Sequence, residues 1–311
     1  MLGTRWAENL DIEQEVLGPR ARLVPAAGAS LPDILAVARD AAAILLGTQA
    51  ACSAEVIDGL AACRAIVRYG VGVDNIDVGA ARARGIAMAN VPDYGVDEVA
   101  THAIALALAC LRKLFPAEAL ARRGEWRLAP LRPIQAVPDA TFGVVGLGRI
   151  GRAVAAKATA LGFPVLACDP YVPPDRAPRR VRLVPLGELL GAADLVSLHL
   201  PLTPETPGLI GASELARMKP TAYLINTARG ELVDGAALAE ALRSGRLAGA
   251  ALDVVPGEPP SPDHPLLSCP TAYLTPHMAW YSEASERRLR RRAAEEVRRA
   301  LRGQPLHNPI V

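Results

Sequence analysis

The sequence predicts an α/β protein whose sheets are built from buried parallel strands, and two observations lead to this prediction. Short apolar runs recur along the chain, and stretches of helical periodicity separate them. Runs that are apolar on both faces are typical of parallel strands covered by helices on either side. The alternation of strand and helix implies right-handed crossovers within each sheet. The predicted strands lie at residues 41–47, 63–70, 85–92, 141–146, 164–169, 194–199, 222–227, 248–254 and 271–276.

Length and composition bound the class of protein. The 311 residues suffice for about two domains, each with its own core. Hydrophobic residues make up 51% and charged residues 21% of the chain, the profile of a globular protein. All of the 34 cationic residues except Lys113, Lys157 and Lys219 are arginine, yet the formal net charge is only +2. This charge is too small to predict binding to nucleic acid.

The cysteines and the apolar runs indicate a cellular setting. The chain has five cysteines and no C-x-x-C pair, which predicts neither a disulfide framework nor a zinc site. No uncharged apolar run reaches the roughly 18 residues of a membrane span. The first residues, M-L-G-T-R-W-A-E, lack the apolar core of a signal peptide. We therefore expect no metal, no membrane contact and a reducing cytoplasm.

Two helical stretches stand outside the strand-helix alternation. The stretch from about residue 96 to 123 is too apolar for a surface helix, so we expect it to be buried against a neighbour or a second subunit. The stretch 282–302 carries Leu289, Ala293, Val297 and Leu301 on one stripe, as expected of a solvated helix with one packed face. A nucleic-acid-binding arginine helix is the alternative, which the interspersed glutamates disfavour.

A glycine-rich turn follows the predicted strand 141–146. The spacing G-x-G-x-x-G is formed by Gly146, Gly148 and Gly151, and a helical stretch comes next. The three glycines would allow, in order, a tight turn, close approach of a pyrophosphate to the backbone, and helix packing against the strand. The helix N-terminus would then face the phosphates. Asp169 ends the next strand, where its carboxylate would accept ribose hydroxyls and repel a 2′-phosphate. The turn thus favours NAD over NADP; an ordinary strand-turn-helix is the alternative.

Polar residues collect at the carboxyl ends of the later predicted strands. In an open α/β sheet, ligands bind beyond these ends. Besides Asp169, the residues at or just after them are His199, Thr227, Arg229, Asp253, Glu258 and His277. An arginine, a glutamate and a histidine are therefore expected to converge on the edge where a nicotinamide would lie.

This triplet suits hydride transfer to a 2-oxo acid, because the carbonyl oxygen gains negative charge and needs a proton. His277 would supply the proton and take it back in the reverse direction. Glu258 would raise the pKa of that histidine and orient its ring. Arg229 would bridge the carbonyl and carboxylate with its planar donors. The alternatives are a structural histidine, a loop glutamate and an arginine in a surface salt bridge.

The motifs G-L-G-R-I-G, N-T-A-R-G-E-L-V-D, A-L-D-V-x-x-x-E-P-P and T-P-H-M-A-W together resemble the D-isomer-specific 2-hydroxyacid dehydrogenase family over nearly the whole chain. The resemblance implies that Arg229 binds substrate, that Glu258 is the partner of the histidine, and that His277 is the general acid and base. It also implies a set of cofactor-binding residues: Gly146, Leu147, Gly148, Arg149, Ile150, Gly151, Asp169, His199, Leu200, Pro201, Thr227, Ala228 and Asp253.

A second glycine-rich segment, R-Y-G-V-G-V-D-N-I-D at 68–77, is similar to the loop in which the family holds the substrate carboxylate. Val71 and Gly72 would then be amide donors of an anion-binding nest, although a plain connecting turn is the alternative. This segment and H-M-A-W-Y-S-E-A-S most resemble the C-terminal binding protein-like branch. That likeness implies that Arg68 and Trp280 border the substrate, and Trp280 would suit an apolar substrate tail.

The resemblance also implies a domain plan: two Rossmann-like or flavodoxin-like parallel-sheet domains with a cofactor cleft between them. The substrate-binding domain would comprise 1–91 and 281–311, and the NAD-binding domain 92–280. The region 92–125 resembles the family's dimerisation region, so a homodimer is expected. The family usually opens with a full apolar strand, but here only two residues precede G-T-R-W. The first strand is therefore expected to be short, replaced or lost.

The expected function is NAD-dependent interconversion of a D-2-hydroxy acid and a 2-oxo acid. The alternative is an NAD(H)-sensing dimeric binding protein of the corepressor type, against which we note no long tail at either end of the sequence. A third possibility is a related oxidation, such as that of a phosphonate-bearing acid. The substrate and the physiological direction stay open at this point.

Overall fold

The computed structural model of the protein describes residues 1, 6, 9–25, 31–48 and 50–310. The chain divides into two compact units. The first unit comprises Met1–Gly95 and Ser282–Val311, and the second comprises Val96–Tyr281. The sequence predicts domain limits of 1–91 with 281–311, and 92–280. The roles predicted for the two domains are substrate binding for the first and NAD binding for the second.

The first unit contains a parallel sheet of strands β1 (Ala43–Leu46), β2 (Ala65–Arg68) and β3 (Ala87–Ala89), in the order β1-β2-β3. Its described helices are α1 (Asp11–Leu17), α2 (Leu31–Ala38), α3 (Ala54–Gly59), α4 (Val78–Ala83) and, from the end of the chain, α11 (Glu283–Leu301). Helices α1 and α11 pack against each other, and α11 also packs against β1 and β2. The two ends of the sequence therefore complete one unit.

The second unit contains a parallel sheet of seven strands. The strands are β4 (Phe142–Val145), β5 (Val165–Cys168), β6 (Val181–Leu183), β7 (Leu195–Leu198), β8 (Tyr223–Asn226), β9 (Gly249–Leu252) and β10 (Ala272–Leu274). Its described helices are α5 (Val96–Leu111), α6 (Leu114–Arg122), α7 (Arg149–Leu161), α8 (Leu186–Ala192), α9 (Ala212–Leu215) and α10 (Gly235–Arg243). The predicted α/β class with parallel sheets in both domains is confirmed.

The strand order β10-β9-β8-β7-β4-β5-β6 shows where in this sheet a ligand can bind. The chain runs from β4 outward through β5 to β6 on one side, and then crosses back to β7 on the other side of β4, so the strand order reverses between β4 and β7. A crevice forms beyond the carboxyl ends of the strands at such a switch point. The central strands β4, β7, β8 and β9 are buried throughout, which explains why they read as continuous apolar runs.

The long helical stretch predicted over 96–123 is two helices rather than one. Helix α5 ends at Leu111, and Lys113 has a left-handed backbone with φ of +53°, which an α-helix cannot contain. Helix α5 packs on α7 and on strands β8 and β9 of its own unit, through small residues such as Ala100, Ala103 and Ala107. The apolar neighbour expected for this helix is thus supplied within the unit.

Three features of the elements differ from expectation or escape it. Strand β6 was not predicted, because it is a three-residue edge strand with Arg182 exposed at its centre. The packed stripe of α11 holds Leu289, Ala293 and Val297 as predicted, but Arg290 and Glu296 are buried as well. The expectation for the first strand falls mostly outside the described residues; the amino group of Met1 donates to the carbonyl oxygen of Val24 at 2.7 Å.

Candidate active site at the carboxyl edge of the seven-stranded sheet

The glycine turn after β4 is held by close backbone packing. Gly146 has φ of +93°, and a Cβ there would lie 2.6 Å from the carbonyl oxygen of His199. A Cβ at Gly151 would lie 1.9 Å from the carbonyl oxygen of Gly146. Either contact excludes a larger side chain. By contrast, no described atom lies within 4 Å of a Cβ built at Gly148, so this glycine adjoins open space. A bound group could approach the backbone there.

Helix α7 begins at this turn. Gly148 is its N-cap and no side chain caps it, so the positive end of the helix dipole is left for an outside acceptor. Gly148 and Arg149 are exposed, Ile150 is half-buried, and Leu147 is buried. The predicted phosphate-binding turn therefore fits a pyrophosphate in shape and polarity.

Asp169 lies just beyond β5 and is tied to the glycine turn. Its Oδ2 accepts from the backbone N–H of Leu147 at 2.7 Å, and its Oδ1 accepts from that of Tyr171 at 2.9 Å. Leu147, predicted as a cofactor residue, therefore directs its N–H to a carboxylate of the protein. A carboxylate has about four acceptor positions, so Asp169 keeps two for ribose hydroxyls.

His199 follows β7 and is a neutral imidazole. Its Nε2 lies 2.8 Å from the Ser197 hydroxyl. His199 is half-buried, and burial lowers the pKa of its ring to about 3 because it disfavours the charged form. Leu200 is half-buried and Pro201 exposed beside it. His199 can thus line a cofactor site but cannot serve as a proton donor near neutral pH.

The turn after β8 holds Arg229. Buried Asn226 donates from Nδ2 to the Arg229 carbonyl oxygen at 2.7 Å and accepts at Oδ1 from the N–H of Ala228 at 3.0 Å. A Cβ at Gly230 would lie 2.1 Å from the carbonyl carbon of Val255, so the turn packs tightly on the segment after β9. Asn226 and Gly230 were missed as positioning residues, although they are the first and last residues of the N-T-A-R-G motif.

Thr227, in the same turn, has a buried hydroxyl for which no partner exists among the described residues. A buried hydroxyl without a partner costs free energy. A bound molecule or a water that hydrogen-bonds to the Thr227 hydroxyl would remove this cost. Arg229 donates from Nη1 to the Ala228 carbonyl oxygen at 2.8 Å.

Glu258 and His277 are brought together. The Nδ1 of His277 lies 2.6 Å from Oε2 of Glu258, while Oε1 of Glu258 accepts from the N–H of Val255 at 3.1 Å. Burial raises the pKa of Glu258, but the hydrogen bond and charge of His277, with the charge of Arg229, outweigh burial and lower it. The side chains of His277 and Glu258 are 28% and 33% exposed, so a reactant can reach them.

Asp253, at the end of β9, is buried and engaged with the turn that carries His277. It accepts from the Thr275 hydroxyl at 2.5 Å, from the N–H of Met278 at 2.9 Å and from that of Ala279 at 2.8 Å. The observed bonds of Asp253 stabilise the turn, and its place beside the cofactor, which the resemblance implies, stays a prediction. Sequence reasoning also missed Thr275.

Trp280 is half-buried, and its indole N–H donates to the His277 carbonyl oxygen at 3.1 Å. Its ring meets that of Tyr281 edge to face, with centroids 5.6 Å apart. Trp280 was predicted to border the substrate. In the structure the indole N–H of Trp280 is bonded to the backbone of His277, so Trp280 can offer a substrate the apolar surface of its ring.

The remaining predicted residues, Arg68, Val71 and Gly72, belong to the first unit. Gly70 has φ of +139°, and its neighbour Val71 is 41% exposed. The Val71 carbonyl oxygen accepts from Asn90 Nδ2 at 2.6 Å, which fixes the loop. Arg68 is buried and donates to the carbonyl oxygen of Tyr69. Their binding of a substrate stays a prediction.

Neither a metal site nor a membrane span is found in the described part of the chain. There, no group of three or more histidine, cysteine or acidic side chains is arranged to hold a metal ion. Likewise, none of the described helices is long and apolar enough to cross a membrane.

Comparison with known proteins identifies relatives of the chain. Residues 104–279 match the NAD-binding domain of the D-isomer specific 2-hydroxyacid dehydrogenases. This match confirms NAD as the cofactor predicted from the glycine turn. A D-3-phosphoglycerate dehydrogenase of Archaeoglobus fulgidus is 41% identical over 86% of this chain. This chain spans about half the length of that relative, 51%.

Two further relatives are covered more fully. A glyoxylate reductase of Korarchaeum cryptofilum is 42% identical, over 81% of this chain and 77% of its own. The solved structure of a D-lactate dehydrogenase from Aquifex aeolicus, complexed with NAD and lactic acid, is 27% identical with a TM-score of 0.90. That likeness covers 100% of this chain and 98% of the other.

Proposed function

The chain belongs to the D-isomer specific 2-hydroxyacid dehydrogenase family, and on this premise we propose that it is an NAD-dependent dehydrogenase of a small D-2-hydroxy acid. One observation carries the proposal: the imidazole of His277 lies 2.6 Å from the carboxylate of Glu258, at the sheet edge that also bears the glycine turn. A histidine oriented by a carboxylate is the arrangement that proton transfer to or from a carbon-bound oxygen requires.

The chain's residues have separate roles in the proposed reaction. When bound, NAD supplies or accepts the hydride. Since Nδ1 of His277 is engaged by Glu258, its Nε2 is the atom that gives a proton to the carbonyl oxygen of a 2-oxo acid or removes it from the hydroxyl of the product. Such general acid-base catalysis contributes roughly 10²–10⁴ in rate.

Glu258 and Arg229 assist this proton transfer in different ways. The pKa of Glu258 lies below its ordinary value of 4.5, so the carboxylate stays ionised and paired with His277 throughout the neutral range. Its negative charge stabilises the imidazolium that donates the proton. Arg229 would hold the substrate carbonyl and carboxylate by two donors of its guanidinium, which also opposes the negative charge developing on oxygen.

The substrate class is proposed from the relatives and from two predicted contacts. The relatives are named for phosphoglycerate, glyoxylate and glycerate, all small 2-hydroxy or 2-oxo acids. We propose the N–H groups of Val71 and Gly72, with Arg68, as the carboxylate-binding elements. The ring of Trp280 would favour an apolar substrate tail. The likeness to the C-terminal binding protein-like branch stays a prediction, and these dehydrogenase and reductase relatives do not favour a non-enzymatic sensor.

Assembly and location are proposed more coarsely. We propose a homodimer formed through 92–125, supported by the exposed side chains of Leu114 (55%) and Phe115 (37%) on α6. Leu114→Glu should shift the protein towards monomer in sedimentation equilibrium, and an unchanged mass would reject this surface. We also propose a cytoplasmic location, because all five cysteines are unpaired thiols.

The proposed activity is tested by steady-state reduction of glyoxylate, hydroxypyruvate, phenylpyruvate and 4-methylthio-2-oxobutyrate with NADH and NADPH. We expect turnover with NADH, equal or better rates for the bulkier apolar acids, and a loss of about 10²-fold or more in kcat for His277→Ala. Folded protein that binds NADH but reduces no 2-oxo acid would refute the proposal. Retention of full activity by His277→Ala would refute the assigned role.

A further inference from the structure

His102 lies on α5, apart from the residues of the proposed reaction, yet it contacts the turn that carries His277. Its Nε2 is 3.1 Å from Oγ1 of Thr275 and 3.7 Å from Oδ1 of Asp253. The His102 side chain is 20% exposed, and the contact joins residues 173 positions apart in the sequence. A polar side chain of helix α5 therefore reaches the carboxyl edge of the sheet.

The direction of these hydrogen bonds follows from counting donors. The carboxylate of Asp253 can only accept, so the Thr275 hydroxyl must point its proton at Oδ1 of Asp253, 2.5 Å away. The Thr275 oxygen then presents lone pairs to His102. A favourable contact at 3.1 Å requires that Nε2 of His102 carries a proton. The order of donation is His102 to Thr275 to Asp253.

This chain of bonds ends at a turn whose backbone is strained at His277. His277 has φ of +49°, a left-handed conformation that costs a non-glycine residue free energy unless its surroundings hold it. The N–H of His277 donates to the Asp253 carbonyl oxygen at 2.9 Å, and the two N–H groups that follow donate to the carboxylate of Asp253. Hydrogen bonds of Asp253 and Thr275 thus fix the turn before and after His277.

We infer that His102 is a positioning residue for the proposed dehydrogenase reaction: by donating Nε2–H to Thr275, it completes the bonds that fix the turn bearing His277. The inference rests on the proposed function. Consecutive hydrogen bonds polarise one another, so removal of the first donor weakens the Thr275–Asp253 bond as well. His102 touches no reacting atom in this scheme and acts only through Thr275 and Asp253.

Matched variants separate this role from simple packing. His102→Leu removes the donor at similar size, whereas His102→Gln keeps an N–H at the same number of bonds from the backbone. Thr275→Val removes the hydroxyl, and Thr275→Ser restores it. His307→Leu, at an exposed histidine of the first unit, is the control for histidine loss in general.

We expect His102→Leu and Thr275→Val each to lower kcat about tenfold, the effect of one lost hydrogen bond, while His102→Gln and Thr275→Ser stay near wild type. The affinity for NADH, measured by fluorescence titration, should change by less than about twofold. The double variant His102→Leu, Thr275→Val should be no worse than either single one, because both act through one chain. Equal loss in His102→Gln and His102→Leu, or fully additive losses, would overturn the inference.

A second readout does not depend on turnover. In protein labelled with ¹⁵N-histidine, NMR should show His102 protonated at Nε2 at neutral pH. The ring signals of His277 should shift in His102→Leu but not in His102→Gln or His307→Leu. An unprotonated Nε2 on His102, or unmoved His277 signals in His102→Leu, would refute the inference. If wild-type protein reduces no 2-oxo acid, the proposed function fails, and this spectrum still decides whether His102 positions His277.

Discussion

Glu13 and Arg290 form a buried ion pair that joins the two ends of the sequence. The pair is bidentate, with Nε of Arg290 2.8 Å from Oε1 of Glu13 and Nη2 2.6 Å from Oε2. The Glu13 side chain is 0% exposed and that of Arg290 is 5% exposed. The Tyr69 hydroxyl donates to the same Glu13 oxygen at 2.9 Å, and the Trp6 ring lies 5.4 Å from the guanidinium carbon. Glu13→Gln therefore removes the bidentate counter-charge of a buried guanidinium and leaves it only Glu286, 3.8 Å away.

We expect Glu13→Gln to destabilise the first unit by about 3–5 kcal/mol, the usual cost of breaking one side of a buried ion pair. Glu15→Gln is the matched control. Its partner Arg291 is 3.0 Å away, but the two side chains are 64% and 46% exposed, so we expect a loss of at most about 1 kcal/mol. A Glu13→Leu, Arg290→Met variant should be less destabilised than Glu13→Leu alone, because no charge is left unpaired.

The assay is equilibrium unfolding in urea. Hydrogen exchange with mass spectrometry detects the unfolding, so that the stability of the first unit is measured from its own peptides. Comparable losses for Glu13→Gln and Glu15→Gln would refute the reasoning from burial. Tyr69 adjoins the predicted carboxylate-binding loop, so Glu13→Gln should also raise KM for the 2-oxo acid more than it lowers kcat.

Four further substitutions test the cofactor edge. Gly148→Ala should keep the midpoint of thermal unfolding but weaken NADH binding. Gly151→Ala should lower that midpoint, because its Cβ would lie 1.9 Å from the Gly146 carbonyl oxygen. Similar unfolding midpoints for the two variants would contradict this close packing. Asp169→Ala should raise kcat/KM with NADPH relative to NADH by about tenfold or more, and an unchanged ratio would refute its role in cofactor choice. His199→Asn should leave the pH profile of kcat/KM unchanged between about pH 5 and 9, since the pKa of His199 is about 3; a lost or shifted limb would show that His199 titrates in catalysis.

The parallel strands and the His277–Glu258 pair could be predicted because both depend on local sequence and one general rule. Nine strands read as apolar runs, and the rule that ligands bind beyond the carboxyl ends of parallel strands brought the two residues together. Strand β6 could not be predicted, because three residues with an exposed arginine carry no apolar run. The break at Lys113 could have been predicted, because Pro116 follows three residues later and a proline inside a helical pattern ends or kinks the helix.

Contacts between remote residues escaped prediction for a different reason. Glu13 and Arg290 are 277 positions apart, and in the sequence each reads as one charge on a solvated helix. The bonds of Asp253 to the turn were not predicted, because they depend on burial: a buried carboxylate must collect donors, and Thr275, Met278 and Ala279 supply them. His102 offers no sequence signal, because a single histidine on an apolar helix is ordinary.

The proposed chemistry depends above all on the pairing of His277 with Glu258, and kcat for 2-oxo acid reduction in Glu258→Gln measures that pairing most directly. The substitution removes the carboxylate that lies 2.6 Å from Nδ1 of His277 and stabilises the imidazolium that donates the proton. We expect kcat to fall about tenfold or more while the affinity for NADH is unchanged. An unchanged kcat in Glu258→Gln would show that the carboxylate does not assist His277.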